Sequence, residues 1–206
     1  MNKRTCCFLI YVLIFGLAAS TAWSQENQIL NPEFDDGLNE WGLYGGTGFT
    51  VEVVQGTGLS GKNAVMIDIT DSASANSIGI AQGGFLLEQG KTYPIGFTAY
   101  AEEDREMVLL VQTNVNNTSW PDQLLQRVQL TTTPQTFVFD YEHTGRTLGA
   151  VETESVNIYL MLKGQWWPMQ GNNLDKKVWI DRVYLGAEPP PPTLDFADYP
   201  SPADQS

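Results

Sequence analysis

The sequence predicts an all-β protein whose short strands form two packed antiparallel sheets. Three observations predict this fold class: Gly, Thr, Val and aromatic residues are plentiful, no window shows a long run of helical periodicity, and short stretches alternate apolar with polar residues. Clusters of Gly, Asn, Asp and Pro separate these stretches, as is typical of a β-sandwich. Ten strands are expected, near residues 28–34, 48–55, 63–70, 77–86, 91–102, 105–115, 124–131, 135–142, 154–163 and 176–186.

The period-2 alternation separates a core face from an outward face on the strands near 91–102, 105–115 and 154–163. The predicted core residues there are Tyr93, Ile95, Phe97, Ala99, Met107, Leu109, Val111, Thr113, Val156, Ile158, Leu160 and Leu162. The outward residues of the last two strands are Val108, Leu110, Gln112, Asn114, Asn157, Tyr159, Met161 and Lys163. They place amides beside an aromatic ring, and amides match the paired hydroxyls of a sugar. The alternative is a plain solvated face.

The first 24 residues have the pattern of a signal peptide. Lys3 and Arg4 precede the apolar run Phe8–Ala19, and Ala22–Ser24 before Gln25 fits a small-x-small cleavage site. The run is shorter than the ~20 residues that span a membrane, although a retained signal anchor is the alternative. The chain's two cysteines lie in this segment, so the mature protein is expected to be secreted, extracellular or periplasmic, and without disulfides.

The charge of the chain narrows the class of partner. The sequence has 11 basic and 24 acidic residues and a formal net charge of −13. This disfavours nucleic acid and anionic membranes, which need clustered Lys and Arg. It would also repel acidic polysaccharides, so neutral glycans remain. We expect no membrane association after signal cleavage, and a monomer.

The mature chain has the length of one domain. About 180 residues leave room for one sizeable core, which we assign to residues 25–187. The composition changes after Leu185, where Glu188 is followed by four prolines and a short acidic tail. A Pro run of this kind is an extended spacer. Residues 188–206 are therefore expected to be a disordered linker or tail.

Three separated phrases, in this order, resemble the carbohydrate-binding modules of families 4, 9, 16 and 22. They are LNPEFDDGLNEWGLY at Leu30–Tyr44, LEQGKTYPIGFTAYA at Leu87–Ala101 and VWIDRVYL at Val178–Leu185. The resemblance covers roughly residues 28–186 and is greatest to the cellulase-associated family 4. It implies a jelly-roll β-sandwich that binds polysaccharide and cleaves nothing. It also implies that Trp41 belongs to the core.

The loop tryptophans are candidates for ligand contact. Trp120 lies in the polar stretch Asn116–Asp122, and Trp166 and Trp167 lie in Gly164–Asn173. Burying three Trp in such loops would be unusual, and exposing them without purpose would be costly. We expect Trp120 and one of Trp166 and Trp167 to stack on a sugar, while the other anchors its loop.

The resemblance also assigns positions in a binding cleft. Tyr44 aligns with a cleft tyrosine of the family 4 modules, and polar cleft side chains fall near Gln82, Asn114 and Asn157. Three positions depart from the family: Tyr159 and Met161 stand where a further Gln is found, two residues beyond Asn157 or further along that strand, and Val108 replaces an arginine. With the residues from the strand pattern, the predicted ligand-binding set is Tyr44, Gln82, Gln112, Asn114, Trp120, Asn157, Tyr159, Trp166 and Trp167.

One structural calcium ion is implied by the resemblance. The matching positions are Asp35, or Glu33, in the early acidic turn and Asp181 in the closing strand, all oxygen donors suited to a hard cation. The alternative is that Asp35 and Asp36 only stabilise the turn before Gly37. Two carboxylates are fewer than the 6–8 oxygens that calcium takes, so backbone carbonyls would have to supply the rest.

Three functions compete at this point. The leading hypothesis is a non-catalytic module that binds a neutral β-glycan, such as amorphous cellulose, β-glucan or xylan, and targets polysaccharide-degrading activity. The second is a glycoside hydrolase, which needs two carboxylates ~5–9.5 Å apart. Its candidate acids on or at the end of strands are Asp68, Asp140, Glu142, Glu154 and Asp181. The third is a secreted adhesion protein, since exposed Trp also anchors protein interfaces.

Overall fold

The computed structural model describes residues 26–55, 63–114, 122–144, 155–164, 169 and 175–187. The described part contains ten strands: β1 (Gly42–Leu43), β2 (Phe49–Gln55), β3 (Asn63–Ile69), β4 (Ile78–Leu86), β5 (Thr92–Ala101), β6 (Arg105–Asn114), β7 (Asp122–Leu130), β8 (Gln135–Glu142), β9 (Ser155–Lys163) and β10 (Lys177–Leu185). Nine of them coincide with predicted strands to within two residues at each end. The predicted signal peptide and the tail beyond residue 187 lie outside the described residues.

The strands form two five-stranded sheets with antiparallel pairing throughout. Sheet A has the order β1-β4-β9-β6-β7 and sheet B the order β2-β3-β10-β5-β8. The predicted all-β jelly-roll sandwich is thereby confirmed. In the described residues, no helix is long and apolar enough to cross a membrane.

The core lies between the two sheets and follows the predicted alternation. Every residue predicted to face inward from β5, β6 and β9 is buried. All of them except Thr113 belong to one apolar cluster that also takes in residues from β3, β4 and β10. The outward residues of β6 and β9 are therefore placed on the other side of sheet A, where a ligand can reach a sheet face.

The predicted strand near 28–34 is wrong. Asn31 and Phe34 have positive φ angles of 50° and 56°, which take the chain out of the extended conformation. The Asn31 side chain holds the resulting turn by donating to the backbone oxygens of Gly37 (3.0 Å) and Asn39 (3.1 Å). Side-chain hydrogen bonds of Asn31 to the next residues of the chain thus favour a turn here over the strand that the alternation suggested.

Trp41 is a core residue, as predicted. It is 7% exposed and packs on Phe34 with ring centroids 5.3 Å apart. Its indole nitrogen donates to the Asn31 backbone oxygen at 3.2 Å. The ring therefore ties the early turn to the core and satisfies its own polar group.

The outer face of sheet B carries a stacked aromatic pair. Tyr100 on β5 and Trp179 on β10 are cross-strand neighbours, with ring centroids 4.7 Å apart and planes only 5° from parallel. Met66 on β3 lies opposite Trp179 on its other side. One pair further along, Lys177 and Asp68 form an ion pair at 3.7 Å. Such cross-strand pairs stabilise a sheet.

A buried cation lies at the start of β6. Arg105 is fully buried on the core side, and its Nη2 donates to the Leu162 backbone oxygen at 3.0 Å. Its Nε and Nη1 have no hydrogen-bond partner. Burial lowers the pKa of this guanidinium to about 10. Arg105 lies two residues before Met107, so the alternation of β6 puts it on the core side despite its charge.

Candidate functional site

The candidate site is the outer face of sheet A, built on β9 and its two neighbours. Three cross-strand pairs of β6 and β9 follow one another on this face: Gln112 opposite Asn157, Leu110 opposite Tyr159, and Val108 opposite Met161. We call them the polar, middle and apolar rows. Alternate residues of a strand are ~6.6–6.8 Å apart, so the polar row and the apolar row are separated by about two such steps.

Tyr44 and Tyr159 form an aromatic pair over the middle row. Their ring centroids are 5.1 Å apart and their planes meet at 68°, an edge-to-face contact. Both rings are half-buried. The backbone nitrogen of Tyr44 donates to the Gly79 oxygen at 2.9 Å, which fixes Tyr44 beside β4 and across it from β9. The pair leaves aromatic surface open to solvent.

The Tyr159 hydroxyl is held in its neutral form. Burial raises the pKa of Tyr159 above its ordinary value of 10, and the neighbouring Tyr44 raises it further. A side-chain hydrogen bond with Asn157 acts in the opposite direction. A tyrosine is neutral at pH 7 even at its ordinary pKa, and the raised pKa keeps it so, which leaves this hydroxyl both a donor and an acceptor for sugar hydroxyls.

Two glycines place the Tyr44 loop. Gly45 has φ +135°, and a Cβ there would lie 2.0 Å from the Ser77 backbone oxygen. Gly48 has φ +85°, and a Cβ there would lie 2.1 Å from the Asp71 backbone oxygen. Only glycine allows this backbone and this close approach to the 71–77 turn. The loop is therefore held where Tyr44 reaches Tyr159.

The Asn157 amide is fixed in the polar row. Its Oδ1 accepts a hydrogen bond from the Gly84 backbone nitrogen at 3.3 Å. The amide also lies over Gly83, its cross-strand neighbour, where an added Cβ would be 1.8 Å from Oδ1. Gln112 stands beside it, half-buried, on β6. The two amides thus form a short polar strip next to the aromatic pair.

The apolar row is covered, although it faces outward from the sheet. Val108, Leu110 and Met161 are almost completely buried and form a cluster with Met169, which is 6% exposed. Tyr44, Leu125 and Tyr159 pack against this cluster. The sequence singled out Val108 and Met161 only as departures from the family pattern. Val108 and Met161 are apolar because they form the surface on which Met169 packs.

The structure brings together four of the predicted ligand-binding residues: Tyr44, Gln112, Asn157 and Tyr159. The backbone of Asn114 continues β6 opposite Ser155, and its side chain lies outside the described residues. The predicted Trp120, Trp166 and Trp167 also lie outside them. Their roles stay predictions.

Gln82 does not lie on this face. It is 5% exposed and points to the same side of β4 as Ile78 and Ile80, which belong to the core. Its Nε2 donates to the Leu30 backbone oxygen and its Oε1 accepts from the Leu30 nitrogen, both at 2.8 Å. The predicted cleft glutamine is therefore a tether for the N-terminal segment, and its amide is used up by the backbone.

The predicted metal residues are not gathered into a carboxylate cluster. Asp35 is exposed and accepts from the Asn63 amide at 3.1 Å, while Asp181 is buried and accepts from the Arg182 backbone nitrogen at 2.7 Å. Across the described residues, no three His, Cys, Asp or Glu side chains form a group that could hold a metal ion. Asp35, Glu33 and Asp181 thus lack the donor set of a calcium site by themselves, and the ion stays a prediction.

Four of the five candidate acids for hydrolysis lie in the other sheet. Asp68, Asp140, Glu142 and Asp181 belong to strands of sheet B, and Glu154 is outside the described residues. On sheet A, Glu106 forms an ion pair with Arg127 at 3.4 Å. Among the side chains described on the outer face of sheet A, there is no pair of carboxylates to flank a glycosidic bond.

The comparisons with known proteins agree with this geometry. The profile of a carbohydrate binding domain family, CBM_4_9, matches residues 26–163. A solved CBM4 domain is 25% identical over 77% of this chain and 98% of its own, with a TM-score of 0.57. The N-terminal cellulose-binding domain of Cellulomonas fimi β-1,4-glucanase C is 24% identical over 76% and 93%, with a TM-score of 0.52.

A xylan-binding domain, CBM22-2 of Paenibacillus barcinonensis Xyn10C, shares the fold at 16% identity, over 76% of this chain and 97% of its own, with a TM-score of 0.56. No curated protein sequence matches the chain. The solved neighbours therefore share the sandwich, and their ligands differ.

Proposed function

Because this chain belongs to the carbohydrate binding domain family, we propose that the outer face of sheet A binds a neutral β-glycan without cleaving it. The observation that carries the proposal is the edge-to-face pair of Tyr44 and Tyr159 beside the amides of Asn157 and Gln112. Aromatic surface packs on the C–H groups of a sugar ring, and fixed amides orient its hydroxyls.

The class of glycan follows from charge and from the neighbours. The net charge of −13 would repel pectate or alginate. The structural neighbours include a cellulose-binding domain and a xylan-binding domain. Amorphous cellulose, β-glucan and xylan are therefore the candidate ligands. The shape of the groove determines which of these glycan chains the protein prefers.

The remainder of the site is assigned to the predicted loop residues. Asn114, Trp120 and one of Trp166 and Trp167 complete the groove, with Tyr44 and Trp120 flanking it. The protein is secreted or periplasmic after removal of residues 1–24, is a monomer, and brings a polysaccharide-degrading activity to its substrate. These statements rest on the sequence pattern and on the family.

The direct test is affinity electrophoresis of the mature protein through gels that contain soluble neutral β-glucans, xylans or pectate. We expect retardation by at least one neutral glycan and none by pectate. Reducing-sugar release from the same glycans should stay at background. Failure of every neutral glycan to retard the protein would contradict the proposal, and catalytic sugar release would favour a glycoside hydrolase. Binding to a protein surface alone would favour the adhesion hypothesis.

Calcium is a second part of the proposal, with Asp35 and Asp181 as ligands and Glu33 as the alternative to Asp35. An ion that binds only the folded state adds roughly 2.7 kcal/mol at a hundredfold excess over its Kd. The melting temperature of calcium-loaded protein should therefore fall on addition of chelator, while glycan affinity at room temperature stays constant. An unchanged melting temperature, in protein whose metal content was measured beforehand, would exclude the ion's structural role.

A further inference from the structure

The outer face of sheet A has a covered part and an open part. The covered part consists of the apolar row and Leu110. The outward side of an antiparallel sheet is ordinarily solvated, yet Val108, Leu110 and Met161 are almost completely buried there. Among the described residues, Met169 and Tyr44 pack on them from outside the strands of the sheet. Gln112 and Asn157, two rows away, keep part of their surface exposed. Across β6 and β9, the open part of this face is therefore formed by the polar row and by Tyr159 of the middle row.

We propose that Met169, which packs on Val108 and Met161, forms a wall along one side of the groove. This wall admits an unsubstituted glycan backbone and excludes backbones that carry side-chain substituents on that side. The inference rests on the proposed function, because it assigns specificity to the same face. Met169 is then a specificity-determining residue that touches the ligand's edge and not its stacked rings.

The reason is the cost of placing a substituent at the wall. A sugar branch on that side would have to occupy the volume of Met169. Displacing Met169 would move its apolar side chain into water and put polar sugar groups on Val108, Leu110 and Met161, which loses hydrophobic stabilisation. If the branch were pressed against the wall instead, its hydroxyls would be buried without a partner, because these four side chains offer no hydrogen-bonding group. Both arrangements disfavour a branched chain.

On the open side of the groove, a substituent can keep hydrogen-bond partners for its hydroxyls. The polar row presents the amides of Gln112 and Asn157, which can pair with hydroxyls of the backbone or of a substituent on that side. Discrimination should therefore depend on Met169 and not on the amides. A substitution at Met169 should change the ratio of two affinities more than the affinity for the plain backbone.

The test uses ligands that share a backbone and differ in decoration: cellohexaose against a xyloglucan oligosaccharide, and xylohexaose against its arabinosylated form. Affinities are measured by calorimetry for the wild type, Met169→Ala and Met169→Leu. We expect the wild type to prefer the plain member of the pair by about tenfold or more. Met169→Ala should lower this preference at least about threefold by strengthening the decorated ligand, and Met169→Leu, which keeps the wall apolar and filled, should retain it.

A wild type that binds both members of each pair equally would overturn the wall while leaving the proposed function intact. The same holds for a folded Met169→Ala protein whose preference is unchanged. Should Met169→Ala fail to fold, Val108→Ala opens the same wall from the sheet and must lower the preference in its place. If the protein binds none of the four oligosaccharides and no glycan gel retards it, both the proposed function and the wall are overturned.

Discussion

The outer faces of the two sheets each carry an aromatic pair, yet the pairs differ in geometry and surroundings. On sheet B, Tyr100 and Trp179 stack with their planes 5° apart, and Met66 lies on the other side of Trp179. On sheet A, Tyr44 and Tyr159 meet at 68° next to the fixed Asn157 amide. In a stacked pair each ring covers one face of the other, whereas in an edge-to-face contact one ring presents only its edge and keeps both of its faces for other contacts. Exposed aromatic content alone thus does not identify a binding face.

The largest effect is expected at a tryptophan that belongs to neither face. Trp41→Ala should lower the free energy of unfolding by ~3–5 kcal/mol through the cavity it leaves, measured by denaturant titration.

Trp120→Ala should cost on the order of 2 kcal/mol of glycan binding and leave stability within about 0.5 kcal/mol. An early-melting Trp120→Ala protein with full affinity would make that loop tryptophan structural.

The two faces are separated most sharply by a matched pair of variants. Tyr159→Ala removes half of the sheet A pair and should weaken glycan binding by about 2 kcal/mol, roughly 30-fold. Trp179→Ala removes half of the sheet B pair and should lower the free energy of unfolding by about 2 kcal/mol, because the ring packs on Tyr100 while half-buried. Its glycan affinity should equal that of the wild type.

Calorimetry with the best glycan of the gel panel, and denaturant titration of the same samples, measure both quantities. The comparison of the faces fails if the results are exchanged, with Trp179→Ala losing affinity and Tyr159→Ala keeping it. A loss of affinity in both variants would indicate two binding surfaces.

Much of the sheet A face is predictable because period-2 alternation is a local property. Gln112, Asn157 and Tyr159 share a face as soon as β6 and β9 are assigned, and the structure adds only that the strands are neighbours. The same reasoning applied to β4 groups Gln82 with Ile78 and Ile80. The resemblance to family 4 modules led away from that local pattern, and the local pattern was correct.

Two features depend on contacts that no local pattern contains. Met169 lies in a polar stretch without periodicity, and its burial results from Met161 and from Val108 and Leu110, which are distant in the chain. The turn at residues 31–34 depends on side-chain hydrogen bonds of Asn31 and on Pro32, whose oxygen accepts from Val183 at 3.1 Å. Sequence-based prediction therefore placed a strand at residues 28–34 and did not identify the burial of Met169.

The smallest effect concerns the position of a single amide. Gly83→Ala places a methyl group on Asn157 Oδ1 and should displace that amide, which weakens glycan binding by about 1 kcal/mol, the value of one hydrogen bond. Gly46→Ala is the matched control, because a Cβ there contacts nothing within 4 Å. Calorimetry should find the control unchanged. Equal affinities for both variants would exclude Asn157 from the site.

The central claim is that glycan binds on the outer face of sheet A, and the chain's methionines report on it directly. Met161 and Met169 line that face, Met107 lies in the core, and Met66 lies on the outer face of sheet B. NMR spectra of isotopically labelled methionine methyl groups, recorded during a glycan titration, give each position its own signal. We expect the Met161 and Met169 signals to shift in proportion to saturation while Met66 and Met107 stay in place. A shift of Met66 with Met161 and Met169 unmoved would contradict the claim.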